Sequence, residues 1–196
     1  MSILLLAGSP AIPSRSTRLL HYVGEQLEKL GHRQSRLHIL DLPATPLLQA
    51  DASNHDIKLA KILVEQAEAV VIATPVYKAA YSGLLKTFLD LLPQDGFAGK
   101  LVLPIATGGS QSHMLALDYA LRPVLSALGA AQVLPSIYAT DAQINWASDK
   151  GLVLDPFIAR RVAAGVELLS ASLQALHAPA AADFASVPFS RVRCSV

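Results

Sequence analysis

The chain has 196 residues, 52% of them hydrophobic and 16% charged, a balance that suits one domain with a substantial core. Sixteen basic residues stand against fifteen acidic ones, a formal net charge of +1, and they are scattered, which excludes a general binder of nucleic-acid phosphates. A single cysteine, Cys194, allows neither an internal disulfide nor a zinc cluster. With no apolar run long enough for a bilayer and a first run too short for a signal peptide, a cytoplasmic protein without membrane or nucleic-acid partners is expected.

Ile3 to Ala7 is an apolar run that reads as a buried strand ending at Gly8, where the chain turns without a Cβ clash. Leu20, Val23, Leu27 and Leu30, spaced by three and four, predict an amphipathic helix that begins near Ser14 to Thr17 and closes at Gly31 in a left-handed conformation. Between strand and helix lie Ser9, Ser14, Arg15, Ser16 and Thr17. Their hydroxyls, with a helix N-terminus whose free N–H groups and dipole favour an anion, form a candidate phosphate seat; a serine-rich cap without ligand is the plainer alternative. The loop is neither GxGxxG nor GxxxxGK followed by Ser or Thr, so no dinucleotide or nucleoside triphosphate motif is present.

Arg33 to Ile39 is polar enough for an edge strand. Asp41 to Ala52 reads as a loop, and Ser53 with Asp56 as a capping box before a helix carrying Ile57, Ile62 and Leu63. Ala69 to Thr74 is a continuous apolar run, as in a strand buried on both faces, and Pro75 is expected to end its ladder. A helix from about Gly83 carries Leu84, Leu85, Phe88, Leu89 and Leu92 and stops at Pro93. Leu101 to Ala106 is a further strand, with a bulge expected at Pro104, and it leads into Thr107, Gly108 and Gly109.

Ser112 to Leu128 has helical periodicity but contains Pro123, which cannot donate to the carbonyl of Tyr119, so a kink or π-bulge is expected there. Val133 to Tyr138 reads as a fifth strand at an edge that tolerates Pro135. Ala139 to Leu154 reads as a loop holding the sole tryptophan, Trp146. Asp155 and Pro156 suit the cap and first residue of a last helix, with Ile158, Val162, Val166, Leu169, Leu173 and Leu176 on its apolar face. Residues 1–177 are thus one domain, and residues 178–196 read as a flexible or partner-draped tail.

Strands alternating with helices imply an α/β fold, a doubly wound five-stranded parallel sheet with helices on both faces. The polar second strand belongs at an edge and the apolar first, third and fourth inside, which gives the order 2-1-3-4-5. Ligands of such sheets bind beyond the carboxyl ends of the strands at the switch point, here between strands one and three. The loops Ser9 to Thr17, Pro75 to Ser82 and Thr107 to Ser112 meet there. They show no Ser-His-Asp arrangement, carboxylate pair or metal-ligand spacing; an anion seat beside aromatic and backbone surfaces suits a cofactor that does its own chemistry, and FMN fits.

GSP followed by PSRST, then ATPVYKAAYSGLLKTFLDLLP, then LPIATGGSQSHMLALDYALRPVLSAL, spread over Ile3 to Tyr138, resemble the NADPH-dependent FMN reductase family of flavodoxin-like fold. Within it they are most similar to the reductases of two-component alkanesulfonate monooxygenase systems. The resemblance implies a homodimer or homotetramer that reduces FMN with NADPH or NADH and supplies it to a separate flavin-dependent sulfonate monooxygenase in sulfur metabolism. It maps phosphate contacts onto Ser9, Ser14, Arg15, Ser16 and Thr17, and ring and ribityl contacts onto Thr74, Pro75, Val76, Tyr77, Thr107, Gly108 and Gly109. No side chain is given a catalytic role, since alignment of nicotinamide on flavin suffices. The family often has arginine just after GSP; Ala11 stands here, which leaves Arg15 as the cation. In the sulfonate-linked reductases an added tyrosine in the helix after Thr-Gly-Gly accompanies a π-helix at the oligomer interface, a role the resemblance gives to Tyr119, with Pro123. An FMN-retaining quinone or azo reductase is one alternative, and a flavodoxin-type electron carrier another, though the near-neutral charge disfavours the carrier.

Overall fold

Successive side chains of a strand point to opposite faces, so a strand that is apolar throughout needs a layer on each side. That is the arrangement in the computed structural model, which describes residues 1–147 and 151–177; the expected tail, Cys194 included, lies outside the described residues. Strands β1 (Ser2–Ala7), β2 (Arg33–His38), β3 (Ala69–Tyr77), β4 (Ala80–Tyr81), β5 (Leu101–Gly108), β6 (Gln132–Val133) and β7 (Ile137–Thr140) form one sheet, ordered β2-β1-β3-β5 with β6 and β7 both paired to β5. This is the order 2-1-3-4-5 with its fifth strand in two pieces; every pairing is parallel except the short β3–β4 return.

Helices α1 (Arg15–Lys29) and α6 (Pro156–His177) cover one face, where Leu20, Val23, Leu27, Val162, Val166 and Leu169 pack on Ile3, Leu5, Val71 and Leu103. On the other face α2 (Ala44–Leu48), α3 (His55–Glu65), α4 (Gly83–Leu89) and α5 (Arg122–Ala127) set Leu47, Ile57, Phe88 and Leu125 against Leu4, Leu6, Val70 and Val102. Helix α1 ends as expected, with Gly31 at φ +83° and the N–H groups of Gly31 and His32 returning to Glu28 and Leu27. Among the described residues no helix is long and apolar enough to cross a membrane.

The prolines depart from expectation for a common reason. Main-chain groups of alternate residues face alternate neighbours, and the Ala73 carbonyl accepts from Gly8 N–H at 2.8 Å, so Pro75 also faces β1. Since β1 has ended at Ala7, Pro75 forfeits no ladder bond, and β3 runs on to Tyr77 instead of stopping. Likewise Val102 O accepts from Leu134 N–H at 2.8 Å, which turns Pro104 toward the fifth strand at its break. Hence β5 keeps an unbroken register with β3 and carries no bulge. Between the pairs Val102↔Val133 and Ile105↔Ile137, β5 advances from 102 to 105 while its partner advances from 133 to 137, so the extra residue lies in the fifth strand, beside Pro135.

Other boundaries also move. The segment from Asp41 to Ala52 contains α2 rather than loop alone. Helix α3 is capped by Asn54, whose Oδ1 accepts from the N–H groups of Asp56 and Ile57, while Ser53 is drawn to Asp51. Ile62, Leu30 and Leu176, placed on apolar faces by spacing, are exposed. The kink or π-bulge expected near Tyr119 is present as a π-helix (Leu117–Leu121); a 3-10 turn (Gln111–His113) precedes it where the periodicity suggests helix from Ser112, and α5 follows, with Pro123 in its first turn. The loop from Ala139 to Leu154 holds a hairpin, β8 (Ile144–Ala147) with β9 (Gly151–Leu154).

Candidate functional site

At the carboxyl end of β1 the chain must pass close under α4: a Cβ on Gly8 would stand 2.8 Å from Leu85 Cβ. Ser82 fixes this approach, since its hydroxyl donates to the Gly8 carbonyl while accepting from Leu85 N–H at 3.1 Å as the cap of α4. Thr74 ties in the third strand, accepting from Ser82 N–H and donating to Pro75 O, both at 3.0 Å. These hydroxyls are spent on holding two loops in register.

Helix α1 opens beside them. Ser14 is its cap, accepting from Thr17 N–H at 3.2 Å through its hydroxyl and from Arg18 N–H at 3.1 Å through its carbonyl. The carbonyls four residues before Arg15 and Ser16 lie outside the helix, so the N–H groups of these two residues have no partner within it. Ser9 Oγ accepts from Ala11 N–H at 3.2 Å, and the hydroxyls of Ser14 and Ser16 lie 2.9 Å apart. The Arg15 guanidinium extends to Asp141, 3.5 Å away, with both side chains about half exposed.

The third loop is shaped by Gly108. A Cβ there would collide with the Tyr138 hydroxyl and sit 3.5 Å from Val76 Cβ. Tyr138 donates from that hydroxyl to Ser110 O at 2.6 Å, and burial, with Asp141 nearby, pushes its pKa up. Across the sheet the β3–β4 return turns through Lys78 and Ala79, at φ +50° and +63°, a left-handed pair that suits the sheet's twist but strains side chains other than glycine.

The three loops enclose one cleft of about 190 Å³. Of the residues singled out from sequence, Ser9, Ser14, Arg15, Pro75, Val76, Tyr77, Thr107, Gly108 and Gly109 line it. Ser16 and Thr74 are buried in the scaffold, and Thr17 lines a neighbouring recess with His21 and His38. Pro13 and Asp141 also line the cleft without having been anticipated, and Ala11 does so despite being the discordant position. Only position could have signalled Asp141, the first residue past the fifth strand, where such sheets bind ligands. Hydroxyl, guanidinium and free N–H donors gather at the α1 end, and Pro75, Val76, Tyr77 and the glycines flank the other. This donor set matches a phosphomonoester joined to a flat ring, the chemistry of FMN.

Comparison with known proteins agrees with this geometry. The NADPH-dependent FMN reductase family matches residues 1–144. The chain belongs to that family. This FMN reductase is 47% identical over 144 residues to an FMN reductase (NADPH) of Escherichia coli (strain K12), covering 74% of this chain and 75% of the relative. It is also 47% identical over 147 residues to an FMN reductase (NADPH) of Pseudomonas putida (strain KT2440), with 75% of each chain covered. The solved apo structure of an NADH:FMN oxidoreductase (EMOB) superimposes with a TM-score of 0.80 at 37% identity, over 87% of this chain and 89% of that one. The enzyme is therefore an NAD(P)H:FMN oxidoreductase of flavodoxin-like fold, with FMN and a reduced nicotinamide nucleotide as its reactants.

Proposed function

We propose that the cleft holds FMN with its phosphate on Ser9, Ser14, Arg15 and the first N–H groups of α1, and that the reductase releases reduced FMN to a separate flavin-dependent monooxygenase of the sulfonate-cleaving kind. The observation that carries this is the convergence of the loops after β1, β3 and β5 on one cleft whose donors gather at one end. FMN when bound supplies the hydride acceptor, N5 of its ring. Pro75, Val76 and Tyr77 give the ring a wall, and the backbone around Thr107 to Gly109 offers N–H donors to negative charge that grows on it. The Asp141 carboxylate is engaged by Arg15, so alignment carries the rate and no proton-transfer group is assigned. Release is supported by the openness of the anion end, where Arg15 is half exposed. Homo-oligomerisation through the π-helix belongs to the same reading and rests on Tyr119, 79% exposed, with Met114 and Leu115 also exposed in the same segment.

The test is anaerobic oxidation of NADPH and, separately, NADH in the presence of free FMN, followed by ultrafiltration. Reduced FMN in the filtrate at turnover supports release. Flavin retained with the protein while quinones or azo dyes are reduced would replace this reading with the FMN-retaining one.

A further inference from the structure

A second recess opens from the anion end of the cleft. It has a volume of about 230 Å³ and shares Pro13, Ser14 and Arg15 with the cleft. Its far wall is the β8–β9 hairpin, which presents Trp146, 58% exposed, with Asn145 beside it and Leu152 behind. The Arg18 guanidinium lies 4.6 Å from the centroid of the Trp146 ring. An indole more than half exposed, with one guanidinium over its ring and a second nearby, is a surface for a flat heteroaromatic base that carries phosphate. A bare anion would use the arginines and leave the indole idle, and an uncharged ring would leave the arginines idle.

We infer that the Arg18–Trp146 recess is an adenosine-phosphate subsite, in which the adenine stacks on Trp146 and a phosphate meets Arg18, with Arg15 shared between recess and cleft. Two reactants can bring this group: the adenosine end of a nicotinamide dinucleotide, or the AMP half of FAD, whose flavin half is FMN. The choice between them rests on the proposed occupancy of the cleft; the binding of adenosine phosphate does not.

Trp146 is the only tryptophan in the chain, so its emission reports on this recess alone. The protein is titrated with adenosine 2′,5′-bisphosphate, with AMP and with inorganic phosphate, exciting at the red edge of the indole band where adenine does not absorb. A saturable change with the two adenosine phosphates and none with inorganic phosphate is expected, and Arg18→Ala should weaken it about tenfold or more while leaving circular dichroism unchanged. No change with either adenosine phosphate, or identical titrations in wild type and Arg18→Ala, overturns the assignment. In steady-state kinetics, Trp146→Ala raising KM for the nicotinamide nucleotides but not for FAD assigns the group to the dinucleotide; a rise for FAD with FMN unchanged assigns it to the flavin; no rise for any of them overturns it. A wild-type protein that titrates with adenosine phosphates yet retains its flavin at turnover defeats the proposed release alone, and one that releases reduced FMN yet does not titrate defeats the subsite alone.

Discussion

Gly108 and Tyr138 share a space that holds one of two groups, a Cβ or a phenolic hydroxyl. Gly108→Ala should therefore push Tyr138 away, cost about 1–3 kcal/mol of stability and lower FMN affinity, as read by thermal denaturation and flavin titration. Adding Tyr138→Phe should recover much of both, because the phenyl ring lacks the colliding oxygen, although Tyr138→Phe alone gives up the hydrogen bond to Ser110, worth about 0.5–1.5 kcal/mol. Full FMN affinity in Gly108→Ala would argue against the ring lying over this loop. At Ala79, φ +63° is a conformation in which glycine has no steric cost, so Ala79→Gly should raise the melting temperature by about 2–4 °C for roughly 1 kcal/mol of relieved strain. If the same change weakens FMN binding, the strained turn serves to hold Tyr77 in place. Which hydroxyls border the cleft was only partly legible. A run of serines before a helix announces an anion seat, but residue type does not say which hydroxyl faces inward, and Ser16 and Thr74 prove to be buried braces.

The π-helix is an element whose cause can be read from one residue. Pro123 has no N–H for the Tyr119 carbonyl, the turn widens, and Arg122 N–H reaches back to Leu117 O. Tyr119 stands outside the protomer's core, so Tyr119→Ala should leave protomer stability within about 0.5 kcal/mol of wild type. Under the proposed assembly it should also shift the protein to a smaller species in sedimentation velocity; an unchanged sedimentation coefficient would remove Tyr119 from the interface. The hairpin of β8 and β9 was not legible for the opposite reason. Its strands are four residues each and lack a strong alternation, and the sequence between them contains no Asn-Gly or Asp-Gly, so nothing local distinguished Ile144 to Leu154 from a loop. The recess that this hairpin builds was equally hidden.

For the whole molecule, the apolar runs at β1, β3 and β5 made the sheet order legible, because a strand buried on both faces has only central positions open to it. The division of the fifth strand was not legible, since it depends on which neighbour Pro104 faces, a matter of register that no local pattern records. Long-range ties also set the pH response. His32 is buried with its Nε2 2.8 Å from Ser170 Oγ on α6; burial first, then the N-terminal ammonium, lower its pKa, with Glu68 opposing. The unfolded chain takes up this proton near pH 6.5 and the folded one only at lower pH, so stability is full above about 6.5 and declines as the pH falls through the window below it. Burial, with Arg36 and then His38, lowers His21 in the same sense and adds to the same window. The melting temperature should drop on acidification through that range, and less steeply in His32→Asn; parallel curves for the two proteins would clear His32 of the effect. The broken fifth strand has one more consequence. Its two short pieces flank Pro135, Arg122 binds the carbonyls of Val133 and Leu134, and Arg161 binds that of Ser136, while the opposite border of the sheet projects Arg33 and Arg36. A foreign strand would thus find carbonyls already taken at the fifth-strand border and exposed like charges at the β2 border, so both borders disfavour polymerisation by sheet extension.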